Sequence, residues 1–193
     1  MSTHHIRTAL TIATATALPL CWAAPATPAA AAPPPAETVG SQCSALPHSG
    51  PGSAQSLADK PVVTGAEQNS SLSTLVTALQ KAGLVDTLNH GKHLTVFAPT
   101  NKAFSKISKA DLAKLLDNKQ ELKKVLTYHV VGEQITPKQF PNGKFKTLEG
   151  GELTTQVSGS TYTVNNTAQV TCGNLKAANA TVYLIDHVLT PPK

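Results

Sequence analysis

Hydrophobic residues recur with a helical spacing in the part of the chain that follows residue 55. The clearest set recurs at i, i+3, i+4 and i+7, and its members are Leu72, Leu75, Val76 and Leu79. That spacing places four apolar side chains on one face of a helix. Ser70 or Ser71 can cap the start of this helix, and Gly83 stands where it ends. The pattern therefore predicts an amphipathic helix that packs against a core.

Further helices are predicted downstream, with one strand among them. Two segments have the capping-box spacing, in which a polar residue is followed three positions later by an acid or Gln. They are Ser108 with Asp111 and Asp117 with Gln120, and each pair predicts the start of a helix. Before them, a strand is predicted over residues 94–97, between two shorter helices.

After Tyr128 the pattern changes to short β-branched segments separated by Gly, Asn or Ser. The predicted strands cover residues 153–157, 162–164, 168–175 and 181–185. Gly159 and Ser160 lie between two of these strands like a hairpin turn. Because helices come first and strands come later, the order indicates an α+β fold rather than an alternating α/β fold.

The first 53 residues have the composition of export and linker segments. Residues 1–32 combine a cation, a modestly apolar run and Ala-rich small-residue sites, which is typical of a secretory signal peptide. Residues 33–53 are rich in Pro, Ala, Ser and Gly and predict an arm or linker, so residues 54–193 form the domain. Cys21 could accept a lipid, but Leu20 before it is not small, and we favour release over anchoring. We expect a secreted protein without a transmembrane helix.

The overall composition argues against nucleic-acid binding. The 193 residues carry a net charge of +5, aromatics are only 4%, and Arg7 is the only arginine. Base stacking needs aromatic rings, and phosphate or guanine recognition favours the arginine fork. Lysines between Lys102 and Lys124 are interleaved with acids, which indicates a solvated helix face. Weak attraction to anionic cell-wall polymers is the alternative.

The cysteines predict one disulfide in the exported chain. Removal of the signal peptide leaves Cys43 and Cys172, which lie 129 residues apart. Two cysteines in an exported protein most simply pair with each other. Such a bridge would tie the arm to the domain. A metal site is not indicated, because neither cysteine has a second cysteine near it.

No sequence pattern indicates catalysis. His90 and His93 with Asp86 could resemble metal ligands, but a zinc site needs three or four convergent ligands and no third histidine lies nearby. The chain has no nucleophile elbow, phosphate-binding loop or dinucleotide fingerprint. We therefore expect a protein that is not an enzyme and holds no metal or cofactor.

Three motifs in order resemble those of fasciclin-type domains. They are TVFAPTNKAF at residues 95–104, LTYHVV at residues 126–131 and ATVYLIDHVL at residues 180–189. The long arm and the positions of Cys43 and Cys172 are similar to the secreted mycobacterial antigen group of this family. The resemblance implies a wedge of two β-sheets flanked by several helices.

The resemblance also implies adhesion or protein–protein contact at the cell surface or in the medium. In animal relatives the YH region and the closing motif are implicated in integrin binding. Carried over to this chain, the partner-binding residues are Tyr128, His129 and Asp186. Tyr128 and His129 could instead be core residues with satisfied hydrogen bonds, and Asp186 could cap local backbone. The alternative function is a small-molecule or lipid carrier with an apolar groove. We expect a monomer whose partner is a protein or matrix ligand.

Overall fold

The computed structural model describes residues 37–47 and 49–192. This part of the chain forms a mixed sheet of seven strands with helices packed against it. The α-helices of this part are α1 Ala54–Ala58, α2 Val62–Ala66, α3 Ser73–Ala82, α4 Val85–His90, α5 Asn101–Ser105, α6 Lys109–Asp117 and α7 Lys119–Tyr128. Its strands are β1 Leu94–Pro99, β2 Val130–Val131, β3 Gly143–Lys146, β4 Glu152–Ser158, β5 Thr161–Val164, β6 Ala168–Lys176 and β7 Ala180–Ile185. Short 3₁₀ helices cover Cys43–Ala45, Ser70–Leu72 and Pro137–Gln139. The α+β prediction is confirmed.

The strands form one continuous sheet in the order β2-β1-β7-β6-β5-β4-β3. β1 and β7 are parallel, and the other neighbouring strands are antiparallel. The two ends of the sheet meet, because Val131 bridges to Thr147 and the Leu148 amide donates to the Val130 carbonyl at 2.8 Å. The sheet is therefore nearly closed like a barrel. Two separate sheets are not confirmed, because pairing of β5 with β6 joins the halves.

Both faces of the central strands are buried, and alternate residues enter two different hydrophobic clusters. Val96 and Val182 face the cluster that the helices cover. Phe97 and Tyr183 face the other cluster, where their ring centroids lie 5.7 Å apart. Burial on both faces explains why β1 and β7 are apolar almost throughout rather than alternating with polar residues.

Helix caps confirm one capping prediction and correct two others. The Ser108 hydroxyl accepts a hydrogen bond from the Asp111 amide and starts α6 as expected. The Asp117 and Gln120 prediction is wrong, because Asp117 ends α6 and the Asn118 side chain caps α7. Upstream of α3, the capping side chain is Asn69, neither Ser70 nor Ser71, and it caps the preceding 3₁₀ turn. The confirmed helix stop is Gly83, which adopts φ +69°.

The described part of the arm is docked on the sheet. Val39 bridges to Gly173 of β6, and the Gln42 amide donates to the Thr171 carbonyl at 2.9 Å. Cys43 and Cys172 form the disulfide. Gly40 adopts φ +106°, and a Cβ there would lie 2.6 Å from the Thr171 oxygen, so the close approach requires glycine. The arm therefore contacts β6 along several residues as well as through the bridge.

The signal-peptide prediction and Cys21 lie outside the described residues. Within residues 37–47 and 49–192, no helix combines the length and apolar character that a membrane span requires.

Candidate functional site

His129 is a buried polar residue that joins α7 to the chain after β7. Only 2% of its surface is exposed. Its Nδ1 lies 2.7 Å from the Val125 carbonyl, and its Nε2 accepts a hydrogen bond from the Leu189 amide at 2.9 Å. Since Nε2 accepts, Nδ1 carries the proton and the ring is neutral. Burial lowers the pKa of His129 to about 4, against the opposing hydrogen bond to Val125.

Tyr128 is also buried, and its hydroxyl links the start of β4 to the turn after β5. The side chain is 2% exposed. Its hydroxyl donates to the Glu152 carbonyl at 2.9 Å and accepts from the Asn165 amide group at 3.0 Å. The ring lies against Gly151, where a Cβ would come within 2.9 Å of Tyr128 Cε2. Tyr128 therefore fixes the turn between β3 and β4 from inside the fold.

Asp186 is the member of the three that reaches the surface, with a side chain 25% exposed. Its carboxylate accepts from Lys106 Nζ at 2.8 Å, from the Gln169 amide at 2.7 Å and from His187 Nδ1 at 2.9 Å. Burial opposes ionisation, but these hydrogen bonds outweigh it and lower the pKa of Asp186. The carboxylate therefore closes the end of the β6–β7 pairing and anchors a lysine.

The structure places the three residues in two environments. Tyr128 and His129 end α7 inside the fold, whereas Asp186 follows β7 at the surface. The chain segment from Asp186 to Leu189 links them, because Leu189 donates its amide to His129. Of the three side chains, that of Asp186 is partly accessible to another molecule, whereas Tyr128 and His129 are buried.

Leu148 is a surface residue that the sequence analysis missed. It is 45% exposed, more than any other large hydrophobic side chain within the described ranges. It lies in the β3–β4 turn, which the Thr147 amide closes by donating to the Gly151 carbonyl at 2.8 Å. A lone leucine in a Gly-rich turn has no periodicity, so only its mismatch with a polar turn could have revealed it.

The histidines near α4 do not converge on a metal. His90 Nδ1 lies 2.8 Å from the Asp86 carbonyl at the end of the helix, and His93 is exposed with φ 57°. Across the part of the chain that the structure describes, no group of three or more His, Cys, Asp or Glu side chains is placed to bind one ion. The contacts of His90 are those of a residue that ends a helix.

The fold and these residues together define an α+β protein in which two of the three motif residues, Tyr128 and His129, are buried. The chain belongs to the fasciclin family, because the family model for the Fasciclin domain matches residues 70–191. The cell surface glycolipoprotein MPB83 of Mycobacterium bovis is 44% identical over an alignment of 178 residues, and the match covers 88% of this chain and 80% of that protein.

Two other similarities support the same assignment. The immunogenic protein MPB70 of Mycobacterium bovis is 45% identical over 148 residues, covering 74% of this chain and 75% of that protein. A FAS1 domain pair from the insect cell adhesion molecule fasciclin I has the same fold, with a TM-score of 0.59 at 18% identity. The match covers 67% of this chain and 50% of the domain pair.

Proposed function

We propose that this chain is an exported, non-enzymatic fasciclin-domain protein that mediates adhesion or protein–protein contact at the cell surface or in the medium. The names of two similar proteins support this proposal. MPB83, which is similar in sequence, is a cell surface glycolipoprotein, and the domain pair that shares the fold comes from a cell adhesion molecule. The observation that carries it is the exposed Leu148 on a turn that the buried YH motif holds in place.

The turn presents Leu148 in a fixed position. The Leu148 amide donates to Val130, the residue directly after His129, and Tyr128 holds the first residue of β4 through its hydroxyl. Interfaces commonly place an apolar anchor inside a polar rim, and ordered anchors lose less entropy on binding. The YH motif therefore supports the contact surface rather than forming it.

A shallow depression beside Leu148 adds shape and charge to this surface. Its volume is about 320 Å³, and its lining includes Glu133 and Lys146. One acid and one cation beside an apolar anchor suit a protein partner with a matching apolar residue and paired charges. Asp186 supplies a separate direct contact in the proposal, since its carboxylate is partly accessible.

Leu148→Asp tests this surface in a binding assay. The full exported, oxidised protein is titrated onto integrin-bearing cells and onto isolated cell-wall material. We expect saturable binding that weakens about tenfold or more in the variant, because a central apolar anchor typically carries at least that much affinity. The free energy of unfolding in urea should fall by no more than about 2 kcal/mol, because Leu148 is only partly covered, with 45% of its surface exposed.

Ala113→Asp is the matched control, because it adds the same charge at an exposed position of α6. It should bind like the parent protein. Equal binding by Leu148→Asp and the parent would remove Leu148 from the surface. Absence of saturable binding to both materials would contradict the adhesion function.

The carrier alternative has one observation in its favour, an apolar cavity between α1, α2, α3 and the sheet. Val63, Leu75, Val96 and Val182 contribute to its lining. Its volume is about 30 Å³. Sites for organic ligands run from ~300 Å³ upward, so carriage would require the helices to move away from the sheet. The contact function needs no such rearrangement and is the better supported.

A further inference from the structure

A cleft lies between the docked arm and α5, and Leu148 and the depression beside it are not part of its lining. Asp186 is the one residue that the cleft shares with the proposed contact surface. Its volume is about 480 Å³, within the range of ~300–1,000 Å³ that small-molecule sites occupy. We call it the arm cleft, and residues that define it are Leu46, Ser70, Ser71, Lys102, Lys106 and Cys172.

The arm cleft presents hydrogen-bond donors and a cation that the protein does not use. In the described ranges, Lys102 forms no ion pair with an acid, and its side chain is exposed. Ser70 and Ser71 add hydroxyl groups from the turn before α3. Ammonium and hydroxyl donors together are complementary to an oxyanion.

The acid in the cleft does not cancel this positive character. Asp186 is the acidic residue of the lining, and its carboxylate already accepts from Lys106, His187 and the Gln169 amide. Lys106 and Asp186 therefore neutralise each other, and Lys102 leaves the cleft with one net positive charge. An anion is favoured over a cation for this reason.

The polar wall is ordered before any ligand binds. Asn101 Oδ1 accepts from the Thr74 amide at 3.0 Å, and its Nδ2 donates to the Ser70 carbonyl at 2.8 Å and to Ser73 Oγ at 3.0 Å. These bonds fix the start of α5 against the turn that carries Ser70 and Ser71. A fixed wall lowers the entropic cost of binding.

The opposite wall of the cleft is apolar and belongs to the arm. Ala45 and Leu46 lie there, and Leu46 also packs against the hydrophobic cluster that the helices cover, the one that contains Val96 and Val182. We propose that the arm cleft binds a small amphiphilic anion, an organic carboxylate or phosphate monoester. Its charged head meets Lys102 and the serine hydroxyls, and its apolar part lies on Leu46.

Titration with octanoate and octyl phosphate, followed by calorimetry, tests this proposal on the full oxidised protein. Octyl glucoside has the same chain with a neutral head. We expect saturable binding of at least one anion, about tenfold tighter than that of the glucoside, because the head meets charge-assisted donors. Comparison of the two anions shows which head group the site prefers.

Lys102→Gln should weaken binding of the preferred anion about tenfold, since it removes the unpaired charge and no ion pair of the described fold. Lys109→Gln, at the start of α6 and not among the lining residues of the cleft, should have no effect. Reduction of the disulfide should weaken binding, because it frees the arm wall. The proposal is overturned if no anion binds, if the glucoside binds equally well, or if Lys102→Gln binds like the parent protein.

The adhesive contact and the anion site are separable in the same experiments. Leu148→Asp should bind octanoate and octyl phosphate like the parent protein, since Leu148 does not line the arm cleft. Loss of anion binding in that variant would contradict the location of the site, and failure of cell binding would leave the anion result intact.

Discussion

At the scale of single residues, His129 couples the stability of the fold to pH. Its pKa falls from 6.5 to about 4 on folding, because burial disfavours the charged ring. The unfolded chain therefore binds more protons than the folded protein between these values. Stability from the neutral ring is present above pH 6.5 and is lost as pH falls towards 4, by an amount on the order of 3 kcal/mol.

We predict that His129→Gln flattens this pH dependence and lowers stability at neutral pH. Urea unfolding at pH 7.5, 5.5 and 4.5 measures both effects. The variant should be less stable than the parent protein by about 2 kcal/mol at pH 7.5, because it breaks a buried pair of hydrogen bonds. The difference in stability between variant and parent should be smaller at pH 4.5, because the parent loses stability there as His129 becomes protonated. His93→Asn, at an exposed position whose φ of 57° suits Asn as well as His, should match the parent protein at all three pH values. A stability difference between His129→Gln and the parent that stays constant with pH would contradict the role assigned to the ring.

The sequence identifies the motif residues but not their exposure. Tyr128 and His129 stand where a helix gives way to a strand, and either a surface or a core position fits that pattern. Burial follows from closure of the sheet, which brings Glu152, Asn165 and Leu189 to them from distant parts of the chain. The local spacing of residues in the sequence does not predict contacts with partners so far along the chain.

At the scale of elements, the sequence offers two candidates, Asp117 and Asn118, for the residue that caps the start of α7. Spacing alone makes Asp117 and Asn118 equally suitable caps, since each has a polar partner three residues later. The backbone decides between them. Asn118 is extended, with φ −91° and ψ 90°, and its Oδ1 accepts from the Glu121 amide, whereas Asp117 is the last residue of α6.

Asn118→Ala should therefore destabilise the protein by about 1 kcal/mol, the usual value of a capping hydrogen bond. Asp117→Ala should change stability by less than about 0.5 kcal/mol, because an acid at a helix end near the negative pole of the dipole has no capping role. Urea unfolding of both variants at pH 7.5 makes the comparison. Equal losses would mean that the two residues share the cap.

Long, periodic elements were predictable, and so were the two short helices that flank β1, but other short elements were not. α3, α6 and the β4–β5 hairpin at Gly159 and Ser160 match their predictions. α1 and α2 have five residues each, too few for a helical period, and β3 has the single buried residue Phe145. The sequence also did not predict that all strands form one nearly closed sheet. That closure depends on the pairing of β5 with β6 and on the bridge between Val131 and Thr147, which the local spacing within the motifs does not predict.

At the scale of the whole molecule, the arm becomes part of the fold through one covalent bond and a few backbone contacts. The Val39 amide donates to the Gly173 carbonyl at 3.2 Å, and the Gly173 amide donates back to Val39 at 2.7 Å. The cysteines predicted the tie but not this strand-like pairing, because the Pro-rich and Ser-rich composition of the arm indicates a linker. The docked arm also supplies a wall of the arm cleft, so order in the arm and shape of the cleft depend on each other.

Loss of the disulfide should lower stability and loosen the arm while the core stays folded. The bridge closes a loop with a sequence separation of 129 residues, and the chain-entropy estimate for such a loop is about 4–5 kcal/mol, with measured values often near 2–4 kcal/mol. Cys43→Ala, chosen because Cys172 is buried in the core, should show a loss in this range by urea unfolding. Reduction of the parent protein should reproduce it.

Hydrogen exchange should then locate the change. The amides of Val39, Gln42 and Gly173 should lose protection in Cys43→Ala, because their partners cross between arm and sheet. The amides of Phe97 and Leu189 should keep theirs, since their partners are His129 atoms in the core. Gly40→Ala serves as an independent probe, because it disturbs the same docking without removing the bridge. If arm protection survives in Cys43→Ala, the backbone contacts alone hold the arm, and the arm cleft keeps its shape without the disulfide.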